Sequence, residues 1–206
     1  MNRTIKLLMF SDVFVSTGFG LIEPILAIFI KENLIGGTIF AAGMASTIFF
    51  LTKCIIQLPF SKYVDKHDHK IRYLLIGSLL IALVPFLYAF AKHINTIYLA
   101  QFVYGIGAGL AYPAWLGLWS TNLDKHNESF EWSMYSTFVG VGIAATAAIG
   151  AGLAQFIGYH ATFFIVGFMS LIGCAIIFFL DKKQEKLKKT PIHHYHKKRK
   201  LVKNHR

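Results

Sequence analysis

Acidic residues are scarce in this sequence: ten Asp and Glu stand against 21 Lys and Arg, and all charged residues together make up 15% of 206. Soluble domains run near one quarter charged, so a chain with a fully solvated surface is excluded. Cysteine is nearly absent. Cys54 and Cys174 both lie inside apolar runs, where a thiol packs as a small apolar group, and this excludes a disulfide scaffold. Five prolines are too few for a polyproline or low-complexity chain. Also missing are a paired nucleophile and base, a phosphate-cradling glycine loop and any metal-ligand spacing within the apolar runs. An enzyme is therefore not expected, nor a cofactor or a metal site.

What the chain has is apolar length. Hydrophobic residues reach 55% and gather into long uncharged runs. A bilayer core about 30 Å thick needs roughly 20 apolar residues per helix. Lipid offers the backbone no hydrogen bonds, and runs this long cannot be barrel strands. The reading is an all-α integral membrane protein, a bundle of six transmembrane helices within 1–180. The helices are predicted near Ile5–Ile30, Gly37–Phe60, Tyr73–Phe90, Ile94–Trp119, Trp132–Ile157 and Ala161–Leu180. The first run contains Glu23-Pro24 and is followed by no small-residue cleavage site, so it reads as a retained helix and not a secretory leader.

Charge sets the orientation. With the N-terminus in the cytoplasm, eighteen of the 21 Lys and Arg fall on the cytoplasmic side, only Lys31 and Lys92 fall outside, and Lys53 lies within a span. The positive-inside rule then places both termini in the cytoplasm of a cell membrane, the inner membrane in a bacterium. The net charge of +11 is thereby assigned to topology and lipid headgroups, with no specific nucleic-acid partner. Residues 181–206, a basic tail with too few apolar side chains for a core, are read as disordered and lying on anionic lipid. His193, His194 and His196 within it form a tract that binds metals only adventitiously.

Between the second and third helices the chain reads Gln57-Leu-Pro-Phe-Ser61-Lys-Tyr-Val-Asp65-Lys66-His-Asp68-His69-Lys70-Ile-Arg72. This resembles the loop signature of the major facilitator superfamily: a small residue, then Asp-Arg, then Gly-Arg-Arg/Lys. Asp65, Lys66 and Lys70 match; Ser61 and Asp68 stand where the family has Gly, and His69 where it has Arg. Gly20-Leu-Ile-Glu-Pro24, Gln101-Phe-Val-Tyr-Gly105-Ile-Gly107-Ala-Gly109 and Phe130-Glu-Trp-Ser133 agree with the resemblance. Gln101 replaces the usual Arg that opens the helix 4 motif, and the drug-antiporter motif of helix 5 is not reproduced in 142–152. The resemblance implies the N-terminal half of a secondary transporter, with the tail where the family has its central linker. It also implies that Ser61, Asp65, Lys66 and Lys70 form a conformational latch; their plain alternative is a solvated basic turn.

An ionised residue inside a span costs at least about 2.5 kcal/mol on insertion scales, so Asp12, Glu23 and Lys53 need partners or a wet cavity. Asp12 and Lys53 lie at matched depth and are read as an intramembrane ion pair, structural or functional. Glu23 lies at the depth of Gln101 and is the leading candidate for handling substrate or proton, though it could instead bond the backbone freed by Pro24. Gln101, Gly105, Ala108, Tyr112, Trp115 and Trp119 share one helical face, and Gln101, Tyr112 and Trp115 are taken as cavity wall. The stripe Gly140, Ala144, Ala148 and Gly152 reads as a packing face, and the glycines of helix 4 as either close packing or a bend beside a cavity. The function implied is movement of a small solute by alternating access, with or without a coupling proton or ion, by a homodimer or with a second six-helix half. A non-transporting scaffold and a truncated transporter product stay open.

The orientation is testable. A cytoplasm-dependent reporter fused after Arg206 is expected to be active, and a periplasm-dependent one silent; the reverse pattern would refute the inside placement of the C-terminus.

Overall fold

The computed structural model describes residues 3–189, with side chains through 179, and among these residues it consists of six helices: α1 (Arg3–Asn33), α2 (Ile39–Asp65), α3 (Lys70–Ala89), α4 (Ile94–Asn122), α5 (Glu128–Ile157) and α6 (Tyr159–Lys189). Each carries a window long and apolar enough to cross a membrane. The breaks have local causes. Gly36 takes a φ of 79° after α1, and the Thr38 hydroxyl accepts from the Ala41 N–H at 3.0 Å to cap α2. Gly158, with φ 86°, alone separates α5 from α6, a turn that a side chain would resist. The α1–α2 and α3–α4 connections are tied by reciprocal bonds, Ile35 N–H to Lys92 O at 3.0 Å and Ile94 N–H to Ile35 O at 3.1 Å.

The helices begin and end close to the sequence expectation; α2 runs on to Asp65 and not only to Phe60, and α5 begins at Glu128 and not at Trp132. Helix α3 starts at Lys70 and not at Tyr73, which brings the last base of the loop signature onto a helix. Helix α6 runs on to Lys189, past the boundary expected at 180, through Lys, Gln, Glu and Leu, all good helix formers. The rest of the tail, including the three histidines and the final basic run, lies outside the described residues.

The packing has a hidden symmetry. Helix α4 lies between α2 and α3, α1 lies between α5 and α6, and α3 packs on α6. Exchanging α1–α3 with α4–α6 maps the contacts of α4 onto those of α1 and the α3–α6 contact onto itself, the pattern of two three-helix units related by a pseudo-two-fold. An odd number of helices per unit makes the repeat inverted, an arrangement found in transporter folds. Helices α1 and α4 are central; α2 and α5 flank them and are the least covered, with 22% and 11% of their apolar windows buried against 44% in the other four.

Close packing of the central helices comes from glycines two residues apart, which point to opposite sides of a helix. In α4, Gly105 and Gly109 meet Thr52 and Ile56 of α2, while Gly107 meets Gly77 of α3. In α1, Gly20 meets Thr146 and Ile143 of α5, while Gly18 meets Val166 and Met169 of α6. The α4 glycines are thus packing residues within an unbroken helix. The expected α5 stripe is not: among the described residues nothing lies within 4 Å of where a Cβ would stand on Gly140 or Gly152, and the contact with α1 is made by Gly142 and Gly150, against Thr17 and Leu21.

A methyl on Gly107 would lie 2.8 Å from the Gly77 carbonyl oxygen, and one on Gly77 2.6 Å from the Gly107 carbonyl. Gly107→Ala and Gly77→Ala should each destabilise by about 1–3 kcal/mol through overpacking. Gly140→Ala and Gly152→Ala should be neutral or mildly stabilising. Unfolding in mixed micelles reads this, and equal losses at all four positions would contradict the assigned faces.

Candidate functional site

Two cavities lie between the flanking helices, on the surface of α1 and α4. The first, about 280 Å³, is walled by Asp12 of α1, Lys53 of α2, Tyr112 and Trp115 of α4 and Tyr135 of α5. The second, about 350 Å³, is walled by Glu23 of α1, Ser46 of α2, Gln101 of α4 and Ile143 of α5. Ser16, Phe19, Phe49 and Tyr104 belong to both. Three of these form a continuous ring stack: Tyr104 lies 4.7 Å from Phe19 and 4.3 Å from Phe49, with interplanar angles of 20° and 28°. One ring from each of α1, α4 and α2 therefore builds the partition between the cavities.

In the first cavity Asp12 and Lys53 share a wall without touching. The Asp12 carboxylate accepts from the Tyr135 hydroxyl at 2.7 Å and from the Ser16 hydroxyl at 3.3 Å. The Lys53 ammonium lies over the Tyr112 ring at 5.0 Å and near Phe49 at 6.0 Å, within cation–π range. The expected direct ion pair is not among the contacts of the described residues. Matched depth brought the two to one cavity, but the side chains turn to different neighbours. Trp115 continues the wall and stacks on the fully buried Trp119, 5.0 Å away, and both rings abut Trp132 and Tyr135.

In the second cavity the structure joins the two residues that depth suggested. Glu23 is exposed, and Gln101 is 5% exposed with its Oε1 lacking a hydrogen-bond partner among the described residues. A buried amide oxygen left unpaired costs about 1–3 kcal/mol and calls for an explanation.

The loop residues lie apart from both cavities. Ser61 and Asp65 border a groove of about 240 Å³ with Pro113, Gly117 and Ser120 near the end of α4. The Lys70 stem and ammonium lie over Gly117, 3.2 Å from where a Cβ would stand, and Lys66 caps the end of α2. Asp65 is exposed as the last residue of α2, a helix end whose dipole disfavours a carboxylate.

A profile of the Major Facilitator Superfamily matches residues 8–205. The chain belongs to this superfamily. Among curated relatives, the quinolone resistance protein NorA of Staphylococcus aureus is 24% identical over 186 residues, covering 89% of this chain and 47% of that protein. The human chromaffin granule amine transporter is 25% identical over 152 residues, 71% of this chain and 29% of that protein. The chain thus spans about half the length of the NorA proteins it matches. Among solved structures, the POT family transporter PepTSo superposes with a TM-score of 0.76 at 17% identity, covering 88% of this chain and 38% of that one. That likeness shows the fold. The described residues thus form six helices long and apolar enough to cross a membrane, in a chain of the Major Facilitator Superfamily.

Two residues of this site carry little signal in the sequence. Tyr104 lies inside the helix 4 motif, among glycines that carry the stronger pattern. Tyr135, one turn after Trp132, holds Asp12 from α5 across the cavity; only its position on the aromatic first turns of that helix hinted at a role.

These contacts predict how the charged residues couple. In double-mutant cycles, Asp12→Asn with Tyr135→Phe should show an interaction energy of about 0.5–3 kcal/mol, and Asp12→Asn with Lys53→Met a smaller one. A larger Asp12–Lys53 term in micelle unfolding would restore the direct pair.

Proposed function

We propose that this chain is one half of a secondary transporter that moves a small organic solute by alternating access, completed by a second six-helix half. The observation that carries this reading is the pair of cavities on α1 and α4, lined by Asp12, Lys53, Glu23 and Gln101 and flanked by the two least covered helices. Such a surface is one wall of a path. Relatives named for quinolone resistance and for amine transport favour an organic solute over an inorganic ion. In transporters built from repeats, the solute site lies between the repeats near the bilayer midplane, and rocking of one half on the other gives alternating access. Glu23 and Gln101 are then groups of the solute or proton pathway, on the far side of the ring partition from Asp12 and Lys53.

The loop fits the latch reading within this scheme. Asp65 sits exposed at a helix end of the wrong polarity, so it gains from a base or a helix N-terminus supplied from outside the unit. Ser61, Lys66 and Lys70 complete a short charged edge there. Both termini are cytoplasmic in this scheme, which places the latch on the cytoplasmic side.

Native mass measurement in lipid discs, combined with crosslinking from Phe50→Cys on α2 and Ala144→Cys on α5, tests the second half. The expected result is a partner, either a second six-helix protein or another copy of this chain, that protects both positions and is required for solute uptake into vesicles. A monomer that transports alone would defeat the proposal. A stable, inactive monomer that acquires no partner would favour a truncated product.

A further inference from the structure

The first cavity holds two opposite charges that are kept apart. At about 4 Å and an effective dielectric near 20, such a pair would attract by about 4 kcal/mol, and the four-carbon stem of a lysine gives it reach. Here each charge is instead held by neutral groups. Two hydroxyls, Tyr135 and Ser16, fix the Asp12 carboxylate, which has room for further donors among its four lone-pair sites. The Lys53 ammonium rests on the faces of Tyr112 and Phe49, contacts that leave its three N–H donors for an acceptor. The same cavity is lined by the flat rings of Tyr112, Trp115, Tyr104 and Phe49 and by the small Ala108 and Ala111. Keeping two charges uncancelled at membrane depth is costly, and a ligand that carries the complementary pair removes that cost in one step.

We propose that this cavity binds a small aromatic zwitterion, its ammonium on the Asp12 carboxylate, its anionic group on the Lys53 ammonium, and its ring against Tyr112 and Trp115. The proposal deepens the transport reading by naming the solute class, and it rests on that reading only for its physiological use. A volume of about 280 Å³ is near the lower end of small-molecule sites and suits one ring with two short charged arms. Tyr135 is a positioning residue here, since it acts through Asp12.

The test uses the full chain in lipid discs and three probes of matched shape: 4-(aminomethyl)benzoate, 4-methylbenzylamine and 4-methylbenzoate. Quenching of tryptophan fluorescence, with calorimetry as a check, reads binding. The zwitterion should bind at least tenfold more tightly than either singly charged probe. Asp12→Asn should weaken the zwitterion and the amine while leaving the benzoate unchanged, and Lys53→Gln should weaken the zwitterion and the benzoate while leaving the amine unchanged. Retained binding of the unaffected probe in each variant shows that the variant is folded. Equal affinity for all three probes, no binding of any, or variants that lower all three alike would overturn the proposal. Binding is read on this chain alone and uptake needs a second half, so uptake that fails with the crosslinked partner present while zwitterion binding persists sinks the transport reading and leaves this one standing.

Discussion

The bundle depends on how closely α1 and α4 can approach their neighbours. Lipid tails are as apolar as leucine, so burying an apolar face against another helix gains little hydrophobic free energy, and van der Waals contact has to hold the helices together. Glycines set two apart solve a specific problem for a central helix, which must be thin on opposite sides at the same height. Gly105 and Gly107 do this in α4, Gly18 and Gly20 in α1. Because the same device recurs in the two helices that the pseudo-two-fold exchanges, it supports the inverted repeat from the sequence as well as from the packing. The cavities follow from it. Two central helices drawn tightly against α3 and α6 behind them leave the space between α2 and α5 open in front.

Much of this was legible in the residues. Six uncharged runs could only be helices, and the loop signature with the helix 4 glycines pointed to the superfamily that the profile match establishes. Glu23 and Gln101 were placed together by counting residues from the membrane surface, and they do line one cavity. The same count placed Asp12 beside Lys53 and reached the right cavity but not the contact. Depth along a helix axis is one coordinate, while the rotation that turns a side chain toward a given neighbour is set by packing. Asp12 is claimed by Tyr135, and no feature of the apolar pattern ties a tyrosine about two turns into α5 to an aspartate 123 residues earlier.

The α5 stripe shows the same limit from another side. Gly140-Ala144-Ala148-Gly152 and Gly142-Thr146-Gly150 are both small residues at a spacing of four, on different faces of one helix. Period alone cannot choose between them. The choice falls to α1, whose Thr17 and Leu21 occupy the second face and leave the first one bare. The run of α6 beyond 180 was missed for a related reason. Polar composition argued against a core, and it does; yet a helix already nucleated in the membrane extends cheaply through good helix formers.

Bare apolar faces do not by themselves require a partner in a bilayer, because lipid covers them at no hydrophobic penalty. The exposed Phe50, Leu51 and Ile55 of α2 and Val141 and Ile149 of α5 are therefore silent on whether this unit stands alone. The polar groups are not. Glu23 is exposed within α1, and among the described residues Gln101 keeps an oxygen without a hydrogen-bond partner and Lys53 has aromatic faces against its ammonium. Each of these is paid in full if lipid fills the front of the bundle and is relieved if protein or water does. The unpaired polar groups, and not the unpaired hydrophobic ones, are what make a second half the favoured reading. In the proposed transporter the same groups are the ones a translocated solute would meet, so the cost that argues for a partner would also mark its path.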